Sequence, residues 1–167
     1  MKVLVSAASR HGATVEIAAS IGAALQAAGL ETYVLAPSEV DGLAGYDAAV
    51  IGSAVYVGRW LEPARDLVEH HKAALLCIPV WLFSSGPVGD PPKPAEEPAD
   101  AQALSDLVHA KGHRTFPGAI DRTKLGFGER AIMAAVRAPE GEFRPWGEIE
   151  AWAQEIAGSL QAVRTGA

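Results

Sequence analysis

Two kinds of apolar pattern alternate along the chain. Short continuous runs, suited to buried strands, give way to stretches in which apolar residues recur every three or four positions, as on one face of a helix. Val3-Leu4-Val5 predicts a first strand. From Thr14 onward, Ile17, Ile21 and Leu25 recur every fourth residue beside Ala18 and Ala28, and Gly29 supplies a helix stop. Residues 32–35 read as a second strand, closed by Ala36-Pro37-Ser38, and residues 47–52 as a third. Pro63 suits the first turn of a helix that carries Ala64, Leu67, Val68, His71 and Leu75 on one face. Residues 78–83 form a fourth strand that is apolar throughout, which demands cover on both faces of the sheet. An acidic, proline-rich loop follows at residues 86–100, too short for an interdomain linker. Ala103, Leu104, Leu107 and Val108 mark a short helix, and residues 113–116 a fifth strand closed by Pro117-Gly118. Residues 125–136 are helical in pattern despite Gly126 and Gly128, and Ile149, Trp152, Ala153, Ile156 and Leu160 line a last amphipathic helix. There is no internal repeat.

Strand–helix alternation with five strands predicts an α/β fold: a three-layer doubly wound sandwich around a five-stranded parallel sheet. The 167 residues fit a single domain over residues 1–167, large enough to bury about 68–70% of its unfolded surface without a disulfide or structural metal. An apolar content of 49% with 20% charged residues is that of a folding chain. The net charge of −6 argues against a nucleic-acid partner, which needs a basic face. Cys77 is the single cysteine, so an internal disulfide framework and a four-cysteine metal site are excluded, and a reducing cytoplasmic setting is expected. The longest apolar run, residues 73–83, falls short of the ~20 residues of a membrane span, so no integral membrane segment is expected.

Doubly wound sheets bind ligands beyond the carboxyl ends of their strands, which directs attention to three strand exits. The first is Ser9-Arg10-His11-Gly12-Ala13-Thr14, leading directly into a helix. Small residues and a glycine admit an anion to the helix N-terminus, where unpaired N–H groups gather. The alternative is simple helix capping by the Ser or Thr hydroxyl. No Gly-x-Gly-x-x-Gly and no Gly-Lys-Ser/Thr follows the first strand, which argues against a dinucleotide site and a P-loop. The second exit is Ser53-Ala54-Val55-Tyr56-Val57-Gly58, followed by Arg59-Trp60. Its two rings can stack on a flat heterocycle or pack beneath the next helix; mid-loop Tyr56 favours the ligand and Trp60 the packing. The third is Ser84-Ser85-Gly86-Pro87-Val88, a narrow polar loop with backbone groups for a ring edge. One phosphate loop and two ring-holding loops together describe a mononucleotide site with a planar base, flavin mononucleotide (FMN).

The sequence Ser9-Arg10-His11-Gly12-Ala13-Thr14 resembles the phosphate loop of the flavodoxin superfamily, keeping its first hydroxyl, its glycine and its last threonine. His11 departs from it, standing where flavodoxins often carry another hydroxyl. The wider match is to the flavodoxin-like menaquinone-dependent protoporphyrinogen oxidases and related flavodoxin-domain proteins. It extends through Val15, Glu16, Ile17 and Ala18, through residues 46–54 with Tyr56 and Gly58, and more softly through residues 116–120, 130–136 and 146–157. The resemblance implies a flavodoxin-like strand order 2-1-3-4-5 and FMN. Residues 9–14 would hold the phosphate, residues 53–58 would border the isoalloxazine with Tyr56 stacked on it, and residues 84–88 would meet the pyrimidine side. Gly58 or Val57 would be the flexible peptide beside flavin N5. It further implies electron transfer or flavin-dependent oxidoreduction with a redox protein or a quinone as partner, and peripheral membrane association is compatible with it. The oxidases carry a long basic, aromatic insert after the fourth strand. Here Pro91-Pro92-Lys93-Pro94-Ala95-Glu96-Glu97-Pro98 is acidic and proline-rich, so a porphyrinogen oxidase and a flavodoxin-fold module without FMN stand as alternatives. No catalytic acid or base and no metal ligand set is expected. His70 and His71 point to different helix faces, and Lys111-Gly112 separates His109 from His113. Cys77 is expected to be a small apolar residue beside a buried strand, and Trp81 a core residue.

Overall fold

The structure, a computed structural model, describes residues 1–86, 97–135 and 140–165. In chain order its elements are β1 (Lys2–Ala8), α1 (Ala13–Ala27), β2 (Glu31–Leu35), β3 (Ala48–Tyr56), β4 (Arg59–Trp60), α2 (Glu62–His70), α3 (Lys72–Leu75) and β5 (Val80–Ser85). There follow α4 (Ala99–Val108), β6 (Gly112–Phe116), β7 (Ala119–Ile120), α5 (Phe127–Ala135), β8 (Gly141–Glu142) and α6 (Trp146–Thr165). The main sheet runs β2-β1-β3-β5-β6 with every neighbouring pair parallel. Counting only these five strands, the order is the expected 2-1-3-4-5. Short β4 folds back antiparallel on β3, and β7 and β8 make a small ribbon of their own.

Alternation along the strands decides the layers. Val3, Val5 and Ala7 of β1, Val50 of β3 and Phe83 of β5 pack with Ile17, Ile21 and Leu25 of α1 and with Ile149, Trp152 and Ile156 of α6. Leu4 and Ala8 of β1, Ile51 of β3 and Leu82 of β5 pack the other way, onto Leu67 and Val68 of α2, Leu75 of α3 and Leu104 and Val108 of α4. Each large aliphatic side chain so buried contributes about 1.5–3 kcal/mol, and successive strand residues point to opposite faces, so both layers of helices are required. Trp81 lies in the first core layer, 8% exposed. Phe83, Phe116 and Trp152 form an aromatic cluster with ring centroids 5.6–6.4 Å apart. Gly52 faces this cluster at close range: a Cβ there would lie 2.2 Å from the Phe83 ring.

The structure differs from the sequence reading at four places. Residues 53–56, read as loop, complete β3, because Ser53 and Ala54 pair with Ser84 and Ser85 while Val55 and Tyr56 pair with Trp60 and Arg59. The loop is therefore a tight hairpin whose two turn residues, Val57 and Gly58, have φ of 50° and 72°, the signature of the turn that matches strand twist. The helix expected to reach Leu75 breaks at His71, whose ψ is 14°; two adjacent histidines, weak helix formers, stand at the break. β5 begins at Val80, so Cys77 lies in the preceding turn and is exposed, with Sγ 3.4 Å from the Ala73 carbonyl. Ser84 and Ser85 are the last residues of β5 and are buried.

A buried polar chain locks the hairpin to the sheet. Trp60, 2% exposed, packs in the core and donates its indole N–H to Ser84 Oγ at 2.8 Å. The same hydroxyl pairs with His113 Nε2, also at 2.8 Å, and donates to it in the tautomer that carries the proton on Nδ1. Nδ1 of His113 then faces Glu97 Oε1 at 3.5 Å. The Ser53 hydroxyl accepts the Leu61 N–H at 2.9 Å, and Asp100 accepts the Trp60 N–H at 3.1 Å, so both ends of the β4–α2 junction are held.

Two outcomes follow from this packing. Gly52→Ala drives a methyl into a ring that has no room to retreat, and should lower stability by about 2 kcal/mol, read as a fall of several degrees in the thermal midpoint; an unchanged midpoint would contradict the packing. Burial depresses the His113 pKa, against a smaller opposing effect of Glu97. As pH falls, the unfolded chain therefore takes up this proton first. Stability should drop from about pH 6.5 until the folded imidazole titrates, and stay level below that. His113→Gln should remove this increment from thermal melts compared between about pH 7.5 and 5.5; an identical pH slope in both proteins would contradict it.

Candidate functional site

The crossover after β1 places α1 on one face of the sheet, and the crossover after β3 places α2 on the other. The exits of these adjacent strands therefore diverge and leave a crevice between them, at the switch point where such sheets bind ligands. Both the first loop and the β3–β4 hairpin stand at this crevice.

In the first loop Gly12 has φ of 90°, a left-handed conformation that side chains resist. A Cβ there would meet nothing within 4 Å, so the space before the helix is open. Gly12 is also the N-cap of α1, and no side chain caps that end. The Ser9 hydroxyl accepts the Gly12 N–H at 3.0 Å instead, and Thr14 is buried at 2% exposure. Capping alone therefore does not account for this loop. The first-turn N–H groups, which an α-helix leaves unpaired, open with Ala13 onto the strand exits. A phosphate fits this cradle on both counts, backbone donors and unfilled space.

Glu129, absent from the residues expected from the sequence, gathers the hairpin side of the crevice. It lies in the first turn of α5 and accepts the Gly126 N–H at 2.9 Å, closing the start of its own helix. Its carboxylate also accepts from Arg10 Nη1 at 2.9 Å and from the Tyr56 hydroxyl at 2.8 Å, with His11 Nε2 at 3.3 Å. The Gly126 N–H, the Tyr56 hydroxyl and the Arg10 guanidinium, in that order, hold the carboxyl down at about 2. Burial, with the Glu129 hydrogen bond behind it, raises the Tyr56 phenol, so the phenol stays protonated and remains a donor. The Arg10 guanidinium also lies 4.1 Å from the Tyr56 ring centroid, a cation–π distance. A Gly-x-Gly-Glu pattern just before a helical run is the one signal that marks Glu129 as a helix-start residue; nothing local reveals that it reaches residues more than seventy positions away.

The remaining expected residues separate into two groups. Ala54, Val55, Tyr56, Val57 and Gly58 lie on the hairpin, with Val57 90% exposed at its tip. Gly86 packs against Val55, where a Cβ would come within 3.1 Å of the Val55 Cβ, so the second and third strand exits touch. The hydroxyls of Ser53 and Ser84, by contrast, are committed to Leu61, Trp60 and His113, and both residues are buried and paired within the sheet, so they support the exits from beneath. Pro87 and Val88 lie outside the described residues. Beside the start of α1, against the β7–β8 ribbon, a cavity of about 270 Å³ is lined by His11, Glu16, Asp121, Lys124 and Arg144 among others. Arg144 is engaged there by Glu16, Glu142 and the Ala13 carbonyl, tying the chain before α6 to the start of α1. Among the described residues no group of three or more His, Cys, Asp or Glu is placed to hold a metal, and no helix is long and apolar enough to cross a membrane.

Solved structures share this architecture. The rubredoxin oxygen:oxidoreductase of Desulfovibrio gigas superposes with a TM-score of 0.69 at 12% identity, covering 96% of this chain and 36% of that one. The chain thus spans about a third of that protein. An archaeal flavodoxin gives a TM-score of 0.66 at 15% identity, covering 96% of this chain and 99% of the other. A cysteine-to-serine variant of the Pseudomonas aeruginosa flavodoxin gives 0.65 at 18% identity, with the same coverage of 96% and 99%. At these identities the likeness establishes the fold. Among curated protein sequences none matches this one. The flavodoxin domain family matches residues 4–144, which include the first loop, the hairpin and Glu129, and the chain belongs to that family.

Proposed function

We propose that this chain binds FMN noncovalently at the β1–β3 crevice and serves in electron transfer or flavin-dependent oxidoreduction. The observation that carries the reading is the uncapped start of α1 behind a left-handed Gly12, across the switch point from Tyr56. It is an anion cradle and an aromatic platform separated by one strand spacing. Backbone N–H groups at the start of α1, from Ala13 and Thr14, hold the phosphate, with the Ser9 and Thr14 hydroxyls beside them and the Gly12 N–H kept by Ser9. Tyr56, Val57 and Gly58 border the ring system from the hairpin, and the third strand exit at Ser85 and Gly86 lies at its edge. The flavin supplies the redox chemistry; the chain's part is to seat it, stack it and set the hydrogen bonds around it. No side chain is required as an acid or base.

The choice of a carrier over a porphyrinogen oxidase rests on residues 91–98, acidic and proline-rich where those oxidases carry a basic, aromatic insert. The net charge of −6 favours basic redox proteins as partners by long-range attraction, with a quinone the other acceptor class. A cytoplasmic setting agrees with Cys77 as a lone, exposed thiol.

The purified chain should show flavin absorbance or quench the fluorescence of added FMN; a colourless protein that leaves FMN fluorescence unchanged overturns the assignment. Two substitutions at Gly12 locate the phosphate. Both carry the backbone cost of a left-handed side chain, about 1–2 kcal/mol, so both should melt lower by the same amount. Gly12→Glu also puts a carboxylate into the cradle and should abolish FMN binding, while Gly12→Ala should retain it within about threefold, a difference of well under 1 kcal/mol. Equal FMN affinity in the two variants would remove the phosphate from this loop.

A further inference from the structure

The group seated against Tyr56 in this structure belongs to the chain itself. The Arg10 guanidinium covers a face of the ring at 4.1 Å, its Nη1 is held 2.9 Å from Glu129, and the Tyr56 hydroxyl is tied to the same carboxylate oxygen. We propose that Arg10, Tyr56 and Glu129 form a latch, with α5 as its lid, that occupies the ring-stacking face and must open before a flavin can stack. This rests on the FMN reading and adds to it a built-in competitor for the same surface.

The packing of α5 supports a lid over a fixed structural element. None of its residues is buried. Phe127 and Ile132 are 91% and 52% exposed and Met133 is half-buried, so moving the helix sacrifices little apolar burial. Its ties to the body are polar: Glu129 to Arg10, His11 and Tyr56, and Arg130 Nε to the Arg122 carbonyl at 3.1 Å. Segments held by few apolar contacts open at the low end of the local stability range. The first loop and the hairpin, in contrast, are continuous with the buried strands β1 and β3. When the latch opens, the lid is therefore the part that moves. The charge arrangement has a second consequence. Arg10 sits beside the phosphate cradle, and while Glu129 neutralises it, its charge is withheld from an arriving anion. Release from Tyr56 frees both the ring face and the guanidinium.

Glu129→Gln tests the latch directly. It keeps the side-chain length and the oxygen that caps Gly126, and removes the charge that holds Arg10. FMN should bind about three- to tenfold tighter to this variant than to the wild-type chain, the size expected for losing an exposed charge-assisted tether. Riboflavin, which carries no phosphate, should gain by a similar factor. Backbone amides of residues 127–135 should exchange faster in the variant without any flavin, and faster in the wild-type chain once FMN is added. Equal or weaker flavin binding by the variant overturns the latch while leaving wild-type FMN binding, and hence the flavin reading, intact. A gain for FMN without a gain for riboflavin also overturns it, because charge repulsion of the phosphate would then explain the effect. Unchanged amide exchange in the variant overturns the lid. Failure of both proteins to bind either flavin overturns the FMN reading and the latch with it.

Discussion

A parallel sheet with apolar side chains on both faces is stable in water only when both faces are covered, and the rest of this structure depends on that constraint. Val3 and Leu4, Val50 and Ile51, Leu82 and Phe83 alternate between two cores, so α1 and α6 are needed on one side and α2, α3 and α4 on the other. A helix crossing to one face after β1 and to the opposite face after β3 must part the two exits. The crevice is thus a by-product of burying the sheet, and its position follows from core packing before any ligand chemistry enters. Because the flanking strands are buried along most of their length, the loop and the hairpin that line the crevice are positioned by the most stable part of the molecule.

The strands contribute stiffness, and a set of hydroxyls converts it into a fixed hairpin. A two-residue turn with a β-branched residue at φ of 50° is costly on its own. It persists because its far strand is held three ways: by the Trp60 indole in the core on Ser84, by the Trp60 N–H on Asp100, and by the Leu61 N–H on Ser53. These anchors explain why two serines at a strand exit turn inward. A serine there has two possible uses, binding a ligand or satisfying a buried donor. The indole N–H of a tryptophan buried to 2% leaves little choice, since an unsatisfied buried donor costs about 1–3 kcal/mol. The hairpin that presents Tyr56 is therefore held from beneath by side chains that themselves do not face the crevice.

What was legible in the sequence follows the range of the forces involved. Elements and layering came through because apolar periodicity is a local record of burial: Ile17, Ile21 and Leu25, or the run ending at Phe83, announce their faces without help from distant residues, whereas the strand order came from the resemblance to the flavodoxin superfamily. Gly12 was legible for the same reason, a small residue between a strand and a helix. Extension of β3 through Tyr56 was not, because those residues become a strand only by pairing with Arg59 and Trp60, and a Val-Gly turn lacks the usual Asn-Gly or Asp-Gly signal. The exposure of Cys77 was missed through a shift of two residues in where β5 begins. Glu129 was the largest omission. Its contacts join residues 10, 56 and 129, and a charge–hydrogen-bond cluster of that span leaves no periodic trace.

That omission points to a division within the site itself. Ser9, Gly12 and Tyr56 are placed by elements whose apolar residues are buried, so their geometry is set by terms summing over many contacts. Glu129 is placed chiefly by polar contacts, on a helix without a fully buried residue. Its carboxylate, held at about 2, keeps its charge at any pH in which the chain would work, so protonation offers no route to releasing Arg10. What can compete with it is another anion or another partner for the aromatic face, arriving together in one molecule. A mononucleotide with a flat ring carries both. On the proposed reading Arg10 and Glu129 supply the same chemistry from within the chain: the cation finds an anion, the ring finds a planar cap, and the phenol finds an acceptor.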